Sequence, residues 1–198
     1  MISYCINLPE RPEKWNAAQS EFKKLRGNVL KWNATKEVIG FDGCRKSHLG
    51  LMNHHLQTYG NELFTVYEDD VQFCVQNPQD AIEQAMRELP DDWDMLYLGA
   101  TLTENLKKYS PHLYRLHKAW TTHAMIFNNQ NGVVDFILEN NGGGRKIDVF
   151  YADVVQQRFN CFITNPMIAT QRNGFSDILN KNVNNGNIIQ DYYKKHTR

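Results

Sequence analysis

Apolar and polar residues follow two different periods along the first hundred residues, and these periods predict alternating strands and helices. Short apolar runs predict strands at residues 2–8, 28–34, 62–70 and 94–100. Apolar residues at helical spacing, bounded by proline or glycine, predict helices at residues 9–25, 44–60 and 78–90. This β-α-β-α-β-α-β order is typical of a mostly parallel sheet that is covered by helices.

The second half of the chain has a less regular pattern and predicts a mixed arrangement. Strands are expected at residues 113–116, 122–128 and 160–170. Residues 129–144 are expected to form a helix followed by a glycine loop, and residues 146–159 a further helix. The residues from Gln171 onward are rich in asparagine and glycine, so we expect them to wrap the surface or to be mobile. The chain is therefore expected to form one α/β domain over residues 1–198, with halves at 1–100 and 101–178 and a tail at 179–198.

Composition and charge place the chain among globular proteins and argue against one class of partner. Apolar residues make up 41% of the 198 residues and charged residues 22%. The 22 basic side chains equal the 22 acidic ones, so the formal net charge is zero. Non-specific nucleic-acid binding depends on a large basic surface, and we therefore expect no nucleic-acid partner.

The cysteines and the absence of long apolar runs bear on location. Cys5, Cys44, Cys74 and Cys161 form no CxxC pair, and all but Cys44 lie in apolar, strand-like contexts, which predicts reduced, buried thiols. No run reaches the roughly 18 apolar residues of a membrane span, and the first strand begins at once without a secretory leader. These features predict a cytoplasmic protein, which touches a membrane only at its periphery if its substrate lies there.

An acidic cluster ends the third predicted strand and is the main candidate for chemistry. Glu68, Asp69 and Asp70 follow an apolar run and are flanked by further apolar residues. Strand alternation places Glu68 and Asp70 on one side and Asp69 on the other. Ligands gather at the carboxyl ends of parallel strands, and two carboxylates there suit a hard divalent cation. The alternative is a solvated acidic turn or a helix cap.

Two phosphate-binding motifs are missing, which strengthens the case for a metal. The chain has no GxGxxG after its first strand and no GxxxxGK[ST]. Without a glycine-rich cradle, a bound diphosphate needs another source of positive charge. A divalent cation on the acidic cluster would provide it.

Five motifs in order resemble glycosyltransferase family 25, which includes bacterial lipooligosaccharide and collagen galactosyltransferases. They are INLPERPEKW at 6–15, GCRKSHLG at 43–50, VYEDDVQF at 66–73, DMLYLGA at 94–100 and PMIATQRNGFSDI at 166–178. The resemblance spans nearly the whole chain. It implies a GT-A-like fold, a nucleotide-sugar donor such as a UDP-sugar, a divalent metal and inversion at the anomeric carbon.

The resemblance also implies roles for the carboxylates. Asp70 is expected to hold the metal with Glu68 or Asp69 assisting, and the metal is expected to be Mn²⁺, with Mg²⁺ as the alternative. Asp148 is the expected base that takes the proton of the acceptor hydroxyl, and Asp153 is the alternative. A plain helix N-cap is the structural alternative for Asp148.

The donor nucleotide is expected along the first half of the chain, residues 1–100. Ile6, Asn7 and Leu8 end the first strand and offer backbone and amide groups, and Arg11 offers a cation for phosphate. Ser47 and His48 are expected to begin a helix, whose free N–H groups suit an anion. Glu68 and Asp69 complete this donor set. Arg11 is alternatively a solvated residue at a helix start.

The acceptor is expected along the second half of the chain, residues 101–178. The candidate side chains are Trp120, Thr121, Thr122, Gln171, Ser176 and Asp177. Trp120 offers a flat face to a sugar, although a core tryptophan is the alternative. The family has a small-residue turn at this point, where this chain has Thr-Thr, and this departure leaves the acceptor open.

These features together predict an inverting hexosyltransferase involved in glycan or lipopolysaccharide synthesis, and two other functions stay open. A nucleotidyl or phosphoryl transferase would use the same acidic cluster but needs a further carboxylate or lysine near the phosphates, which the sequence does not identify. A non-catalytic sugar- or nucleotide-binding module is the other alternative.

Overall fold

The computed structural model describes residues 1–141, 144–176 and 178–197. The strands are β1 (Ile2–Asn7), β2 (Val29–Asn33), β3 (Phe64–Glu68), β4 (Val71–Phe73), β5 (Met95–Tyr97), β6 (Thr101–Leu102), β7 (Lys107–Ser110), β8 (Leu113–Leu116), β9 (Ala119–Trp120), β10 (Ala124–Phe127), β11 (Cys161–Thr164), β12 (Ala169–Gln171), β13 (Gly174–Ser176) and β14 (Lys181–Val183). The helices are α1 (Pro12–Phe22), α2 (Gly40–Tyr59), α3 (Pro78–Met86), α4 (Val133–Asn140), α5 (Ile147–Phe150), α6 (Gln156–Arg158) and α7 (Asn185–His196). A 3-10 turn covers Asn129–Asn131, and a π-helical segment, Tyr151–Val155, joins α5 to α6.

Eight strands form the central sheet, in the order β2-β1-β3-β10-β5-β11-β8-β7. The β1 strand pairs in parallel with β2 and β3, and β11 pairs in parallel with β5. The β10 strand lies antiparallel between β3 and β5, and β8 lies antiparallel between β11 and β7. Most strands of the sheet thus point the same way, with β10 and β8 reversed.

The two faces of this sheet carry separate apolar layers, because successive side chains of a strand point to opposite faces. Tyr4 and Ile6 of β1 join the layer beneath α2, α4, α5 and α7, whereas Cys5 joins the layer beneath α1 and α3. The predicted α/β architecture is confirmed: a mostly parallel central sheet is flanked by helices, and the second half is mixed.

Several element predictions need correction. The predicted strand at 160–170 is divided into β11 and β12 around the cis Asn165–Pro166 peptide, since proline has no N–H for a sheet ladder. The expected surface tail contains the β13–β14 hairpin and α7, whose Ile189 and Tyr193 are buried. Cys5 and Cys161 are buried as expected, but Cys74 is exposed because it lies just beyond β4.

The glycine of the YLG motif allows two chain segments to pass in contact. A Cβ on Gly99 would lie 1.8 Å from the Ala169 carbonyl oxygen, which is far inside van der Waals contact. The amides of Ile168 and Ala169 both donate to the Leu98 carbonyl, at 2.8 and 2.9 Å. This close approach fixes the start of β12, which carries Gln171.

The described helices bear on the expected absence of a membrane span. Within residues 1–141, 144–176 and 178–197, no helix combines the length and apolar character needed to cross a bilayer.

Candidate functional site

A cavity of about 480 Å³ lies at the carboxyl ends of the parallel strands β1, β2 and β3. The first turns of α1, the first half of α2, the turn before β10 and the start of α5 complete its wall. Gln171 at the end of β12 and Asn185 at the start of α7 also line it. Ligand sites of open α/β sheets occur at this edge.

Most of the predicted site residues meet in this cavity. It is lined by Ile6, Asn7, Leu8, Arg11, Ser47, His48, Glu68, Asp69, Asp70, Thr121, Thr122, Asp148, Gln171 and Ser176. Residues that lie more than one hundred positions apart in sequence thus face one space. Their individual roles stay predictions.

Two predicted residues lie elsewhere. Asp153 lies in the π-helical segment, where its Oδ1 pairs with Lys118 Nζ at 2.8 Å and borders a separate surface pocket. Trp120 ends β9 and is 44% exposed, but it does not line the cavity. Asp177 lies outside the described residues. Asp148 therefore lines the cavity, whereas Asp153, the alternative candidate for the base, lies outside it.

The three acidic residues adopt a different arrangement from the one that strand alternation predicted. The β3 strand ends at Glu68, and Asp69 and Asp70 form the turn into β4. Because period-two alternation ends with the strand, all three side chains line the same cavity instead of two opposite faces. The prediction that Asp69 lies on the other side is therefore wrong.

Each carboxylate has a specific neighbour. Asn7 Nδ2 donates to Asp69 Oδ2 at 2.7 Å, and Gln171 Nε2 donates to Asp70 Oδ2 at 3.1 Å. The other oxygen of Asp70, Oδ1, is buried and has no hydrogen-bond partner among the described residues. Buried polar atoms nearly always have a partner, so this oxygen is open to a bound water, ion or ligand.

The electrostatics of Glu68 and Asp70 differ. Burial raises the pKa of the Glu68 carboxyl, but contacts with His48 and Thr122 outweigh it and lower the pKa below its usual value. Thr122 Oγ1 donates to Glu68 Oε1 at 2.5 Å. For Asp70, burial and the neighbouring charges of Glu68 and Asp69 raise the pKa well above its usual value. A cation beside Asp70 would offset this repulsion.

Asp148 lies in the first turn of the short helix α5 and faces the cavity. Lys146 is the capping residue of that helix, so the alternative of a plain N-cap does not describe Asp148. Its Oδ1 accepts a hydrogen bond from Val149 N at 2.9 Å. Burial raises the pKa of this carboxyl, and the charge of Glu68 raises it further.

The predicted anion site at Ser47 and His48 needs correction. Helix α2 begins at Gly40, so both residues lie inside it, where backbone N–H groups are already hydrogen-bonded. Ser47 Oγ donates to the Gly43 carbonyl at 2.6 Å and accepts from Thr35 N at 2.8 Å. Ser47 thus ties the loop after β2 to α2, and it does not present a helix N-terminus to an anion.

Sequence reasoning missed two groups of residues in the cavity. Lys14, Lys36 and Lys146 also line it, so cationic groups face the same space as the carboxylates. Cys44 lines it as well, on the same helix as His48 and four residues before it. A Cys-x3-His pair inside a predicted helix places both side chains on one face, and that spacing was the available signal.

The cavity contains a residue in an unfavourable backbone conformation. Thr121 has φ of 73°, in the left-handed region that favours glycine, and its side chain is β-branched. Thr101 N donates to Thr121 Oγ1 at 3.3 Å and helps to hold it. Backbone strain of this kind is commonly found at functional sites.

Comparisons with known proteins bear on the fold. No known family profile matches the chain, and no curated protein is detectably similar in sequence. The protein A197 from STIV is similar in structure, with 8% identity, a TM-score of 0.54, and coverage of 92% of this chain and 93% of that one. At this identity the likeness concerns the fold alone. The resemblance to glycosyltransferase family 25 stays a prediction.

Among the other structures that match, two have TM-scores below 0.5, and no conclusion about this protein is based on them. One is a glycosyltransferase involved in the glycosylation of the major capsid of PBCV-1, with 10% identity, a TM-score of 0.48, and 82% and 80% coverage. The other is UDP-glucose pyrophosphorylase complexed with UDP-glucose, with 10% identity, a TM-score of 0.47, and 98% and 100% coverage.

Proposed function

We propose that this protein is a metal-dependent, inverting glycosyltransferase that moves a hexose from a UDP-linked sugar to a hydroxyl group of a glycan or another hydroxylated acceptor. In this proposal residues 1–100 hold the nucleotide, and residues 101–178 supply the base and the acceptor side. The central observation is the buried Oδ1 of Asp70, which has no partner in the described part of the chain and lies in a cavity that also contains Glu68, Asp69 and Asp148.

The acidic turn fits a divalent cation on chemical grounds. Carboxylate oxygens are the ligands that Mn²⁺ and Mg²⁺ prefer, and Asp70 has an oxygen available for one. Asp70 would hold the cation, with Asp69 or Glu68 assisting. When bound, the cation supplies Lewis-acid stabilisation of the negative charge on the departing diphosphate.

The protein's own residues supply the remaining steps. Arg11 and Lys14 line the cavity near the end of β1, where they suit the phosphates of the donor. The acceptor hydroxyl attacks the anomeric carbon while the bond from that carbon to the diphosphate oxygen breaks. Asp148 takes the hydroxyl proton, and the nucleoside diphosphate leaves. The raised pKa of Asp148 helps it to hold the transferred proton.

A second candidate function is a nucleotidyl transferase that joins a nucleotide to a sugar phosphate. The sequence did not identify a lysine near the acidic cluster, but the structure places Lys14 and Lys146 in the same cavity. A lysine can stabilise the charge of transferring phosphates. This candidate would release pyrophosphate from UTP and a hexose 1-phosphate.

The test measures binding and turnover on the purified chain. UDP binding is measured by calorimetry with and without Mn²⁺, and UDP release is followed for a panel of UDP-hexoses. We expect binding that requires Mn²⁺ and release of UDP from at least one donor. Asp148→Asn should lower kcat by at least about 100-fold while the UDP affinity changes little. The matched Asp153→Asn variant should keep the wild-type rate.

Each contrary outcome identifies a different error. UDP binding that ignores Mn²⁺ and survives Asp70→Ala would contradict the metal role of Asp70. Pyrophosphate release from UTP and a hexose 1-phosphate, without turnover of UDP-hexoses, would favour the nucleotidyl transferase. Binding without either reaction would favour a non-catalytic sugar- or nucleotide-binding module.

A further inference from the structure

We infer that Cys44, His48 and Glu68 form a site for a zinc-like transition-metal ion, distinct from the hard cation proposed on Asp70, for which Asp69 is then the assisting carboxylate. The ligand atoms of these three side chains all lie within 4.8 Å of one another. All three residues line the cavity. The inference goes beyond the proposed function, because binding of the ion requires no nucleotide sugar.

The local fold brings these side chains together. Cys44 and His48 are four residues apart on α2, so they lie on one face of that helix. Glu68 is the last residue of β3 and reaches the same point from the sheet. His48 Nε2 lies 3.3 Å from Glu68 Oε1. A tetrahedral ion with bonds of about 2.0–2.1 Å requires a spacing of about 3.3–3.4 Å between such ligands.

The ligand chemistry selects the class of metal. A thiolate and an imidazole are softer ligands than carboxylates and favour Zn²⁺ or Co²⁺ over Mg²⁺, Ca²⁺ or Mn²⁺. Three protein ligands leave a fourth tetrahedral position. Zinc sites of this kind bind water or a substrate atom at that position, whereas purely structural zinc sites have four protein ligands.

The ring of His48 is buried and poorly paired. It is 1% exposed, and its Nδ1 has no hydrogen-bond partner among the described residues. Its other nitrogen makes only the long contact to Glu68. A buried imidazole normally has both nitrogens satisfied. Metal ligation through Nε2 would give that nitrogen a strong partner in place of its long contact, and the ring proton would then reside on Nδ1.

The third ligand is held in place by its neighbour. Thr122 Oγ1 donates to the same Glu68 oxygen that faces His48. Hydrogen bonds to a ligating carboxylate orient it and support metal affinity. Thr122 is therefore assigned as a positioning residue for this site.

Co²⁺ absorption spectroscopy tests the site directly. Chelator-treated protein spanning residues 1–198 is titrated with Co²⁺ in the absence of nucleotide. We expect one equivalent to produce a sulfur-to-cobalt charge-transfer band in the near ultraviolet and visible bands typical of tetrahedral Co²⁺, and Zn²⁺ should displace both. Cys44→Ser should remove the charge-transfer band and weaken Co²⁺ binding at least about tenfold.

Controls separate this site from other thiols and from the proposed function. Cys74→Ser changes an exposed cysteine outside the cavity and should leave both sets of bands unchanged. Asp70→Ala should keep the Co²⁺ bands even though it removes Mn²⁺-dependent UDP binding. Circular dichroism checks that each variant is folded. Absence of the charge-transfer band in the wild-type protein, or its survival in folded Cys44→Ser, would overturn the inference.

Discussion

At the residue scale, Asp70 shows how a residue of a candidate site can lower the stability of the folded protein. Its carboxylate is close to Glu68 and Asp69, and one of its oxygens has no partner within residues 1–141, 144–176 and 178–197. Burial and the neighbouring charges raise its pKa. A carboxyl with a raised pKa in the folded state stabilises the fold at low pH. That contribution is lost as the pH rises from the unfolded value, near 3.8, through the folded one.

Asp70→Asn is therefore expected to stabilise the metal-free protein. At neutral pH the gain should be on the order of 1–3 kcal/mol, because the amide can donate to its acidic neighbours and carries no charge. The gain should shrink toward zero below about pH 4, where the native Asp70 is itself neutral. Urea unfolding of chelator-treated protein across this pH range measures the difference.

The exposed Asp91 supplies the control for this prediction. Asp91→Asn should change the free energy of unfolding by less than about 0.5 kcal/mol at any of these pH values. A destabilising Asp70→Asn at neutral pH would contradict the electrostatic account of the turn.

The position of a single site residue could be predicted from the sequence where apolar neighbours marked the end of a strand. It could not be predicted where it depends on contacts between distant parts of the chain. The apolar neighbours of 68–70 indicated a partly buried acidic turn, and its side chains do line the cavity. The pairing of Cys44 with Glu68 depends on how α2 packs against β3, which local sequence does not encode. Asp153 has the same residue type as Asp148, but it points to Lys118 because the helix rotates it away from the cavity.

At the element scale, Glu88 connects the β7–β8 hairpin to the segment after α3 through hydrogen bonds. Its carboxylate accepts hydrogen bonds from Ser110 Oγ and His112 N, and it contacts His112 Nδ1 at 2.5 Å. Burial acts to raise the pKa of Glu88, but these partners prevail and lower it to about 2. A lowered acid pKa stabilises the fold above the usual value of 4.5, and the stabilisation is lost as the pH falls toward 2.

We expect Glu88→Gln to destabilise the protein at pH 7 by about 1–2 kcal/mol, since the carboxylate is only partly screened by water. The difference from wild type should diminish between pH 4.5 and 2, where the wild-type Glu88 becomes protonated. Thermal unfolding at several pH values measures this effect. Glu139→Gln, on the exposed side of α4, is the matched control and should have little effect.

Helices and strands were predictable where period and boundary residues agreed, as in β1, α1, β2 and α3. The sequence of α7 carries asparagine and glycine in its first turn, which disfavour a helix. Its stability comes from packing: Tyr193 is buried and donates its hydroxyl to the Thr164 carbonyl at 2.8 Å. Local propensity cannot report a helix that forms mainly through such distant contacts.

At the scale of the whole molecule, α7 is connected to the acidic turn by a short series of hydrogen bonds. Asn185 Nδ2 donates to Gln171 Oε1 at 3.2 Å, and Gln171 donates to Asp70. Gly186 permits this approach, since a Cβ there would lie 2.3 Å from the Gln171 carbonyl oxygen. The last helix thus supports the geometry of a turn more than one hundred residues earlier.

Gly186→Ala should therefore affect both stability and the site. The methyl group must displace α7 or β12, which typically costs about 1–3 kcal/mol. If the proposed function is correct, Mn²⁺-dependent UDP binding should weaken as Gln171 moves away from Asp70. Chemical unfolding and calorimetry measure the two effects.

Gly50 offers a matched glycine in an exposed part of α2. A Cβ there would meet only Trp32, at an ordinary contact distance of 3.7 Å. Gly50→Ala should raise the free energy of unfolding by about 0.5–1 kcal/mol and leave UDP binding unchanged. If the two variants had the same free energy of unfolding and the same UDP affinity, the close approach of Gly186 to Gln171 would have no role in stability or in UDP binding.

The antiparallel position of β10 between β3 and β5 has a consequence for how the chain folds during synthesis. When a ribosome has produced only the first hundred residues, the facing edges of β3 and β5 have no strand between them. Pairing waits until residues 124–127 emerge, and β11 and α7 follow later still. Strand pairing between distant parts of the sequence slows folding. Until it occurs, the unpaired strand edges of the nascent chain are exposed and prone to aggregation. Truncation between the halves would therefore yield an aggregation-prone fragment instead of a small nucleotide-binding protein.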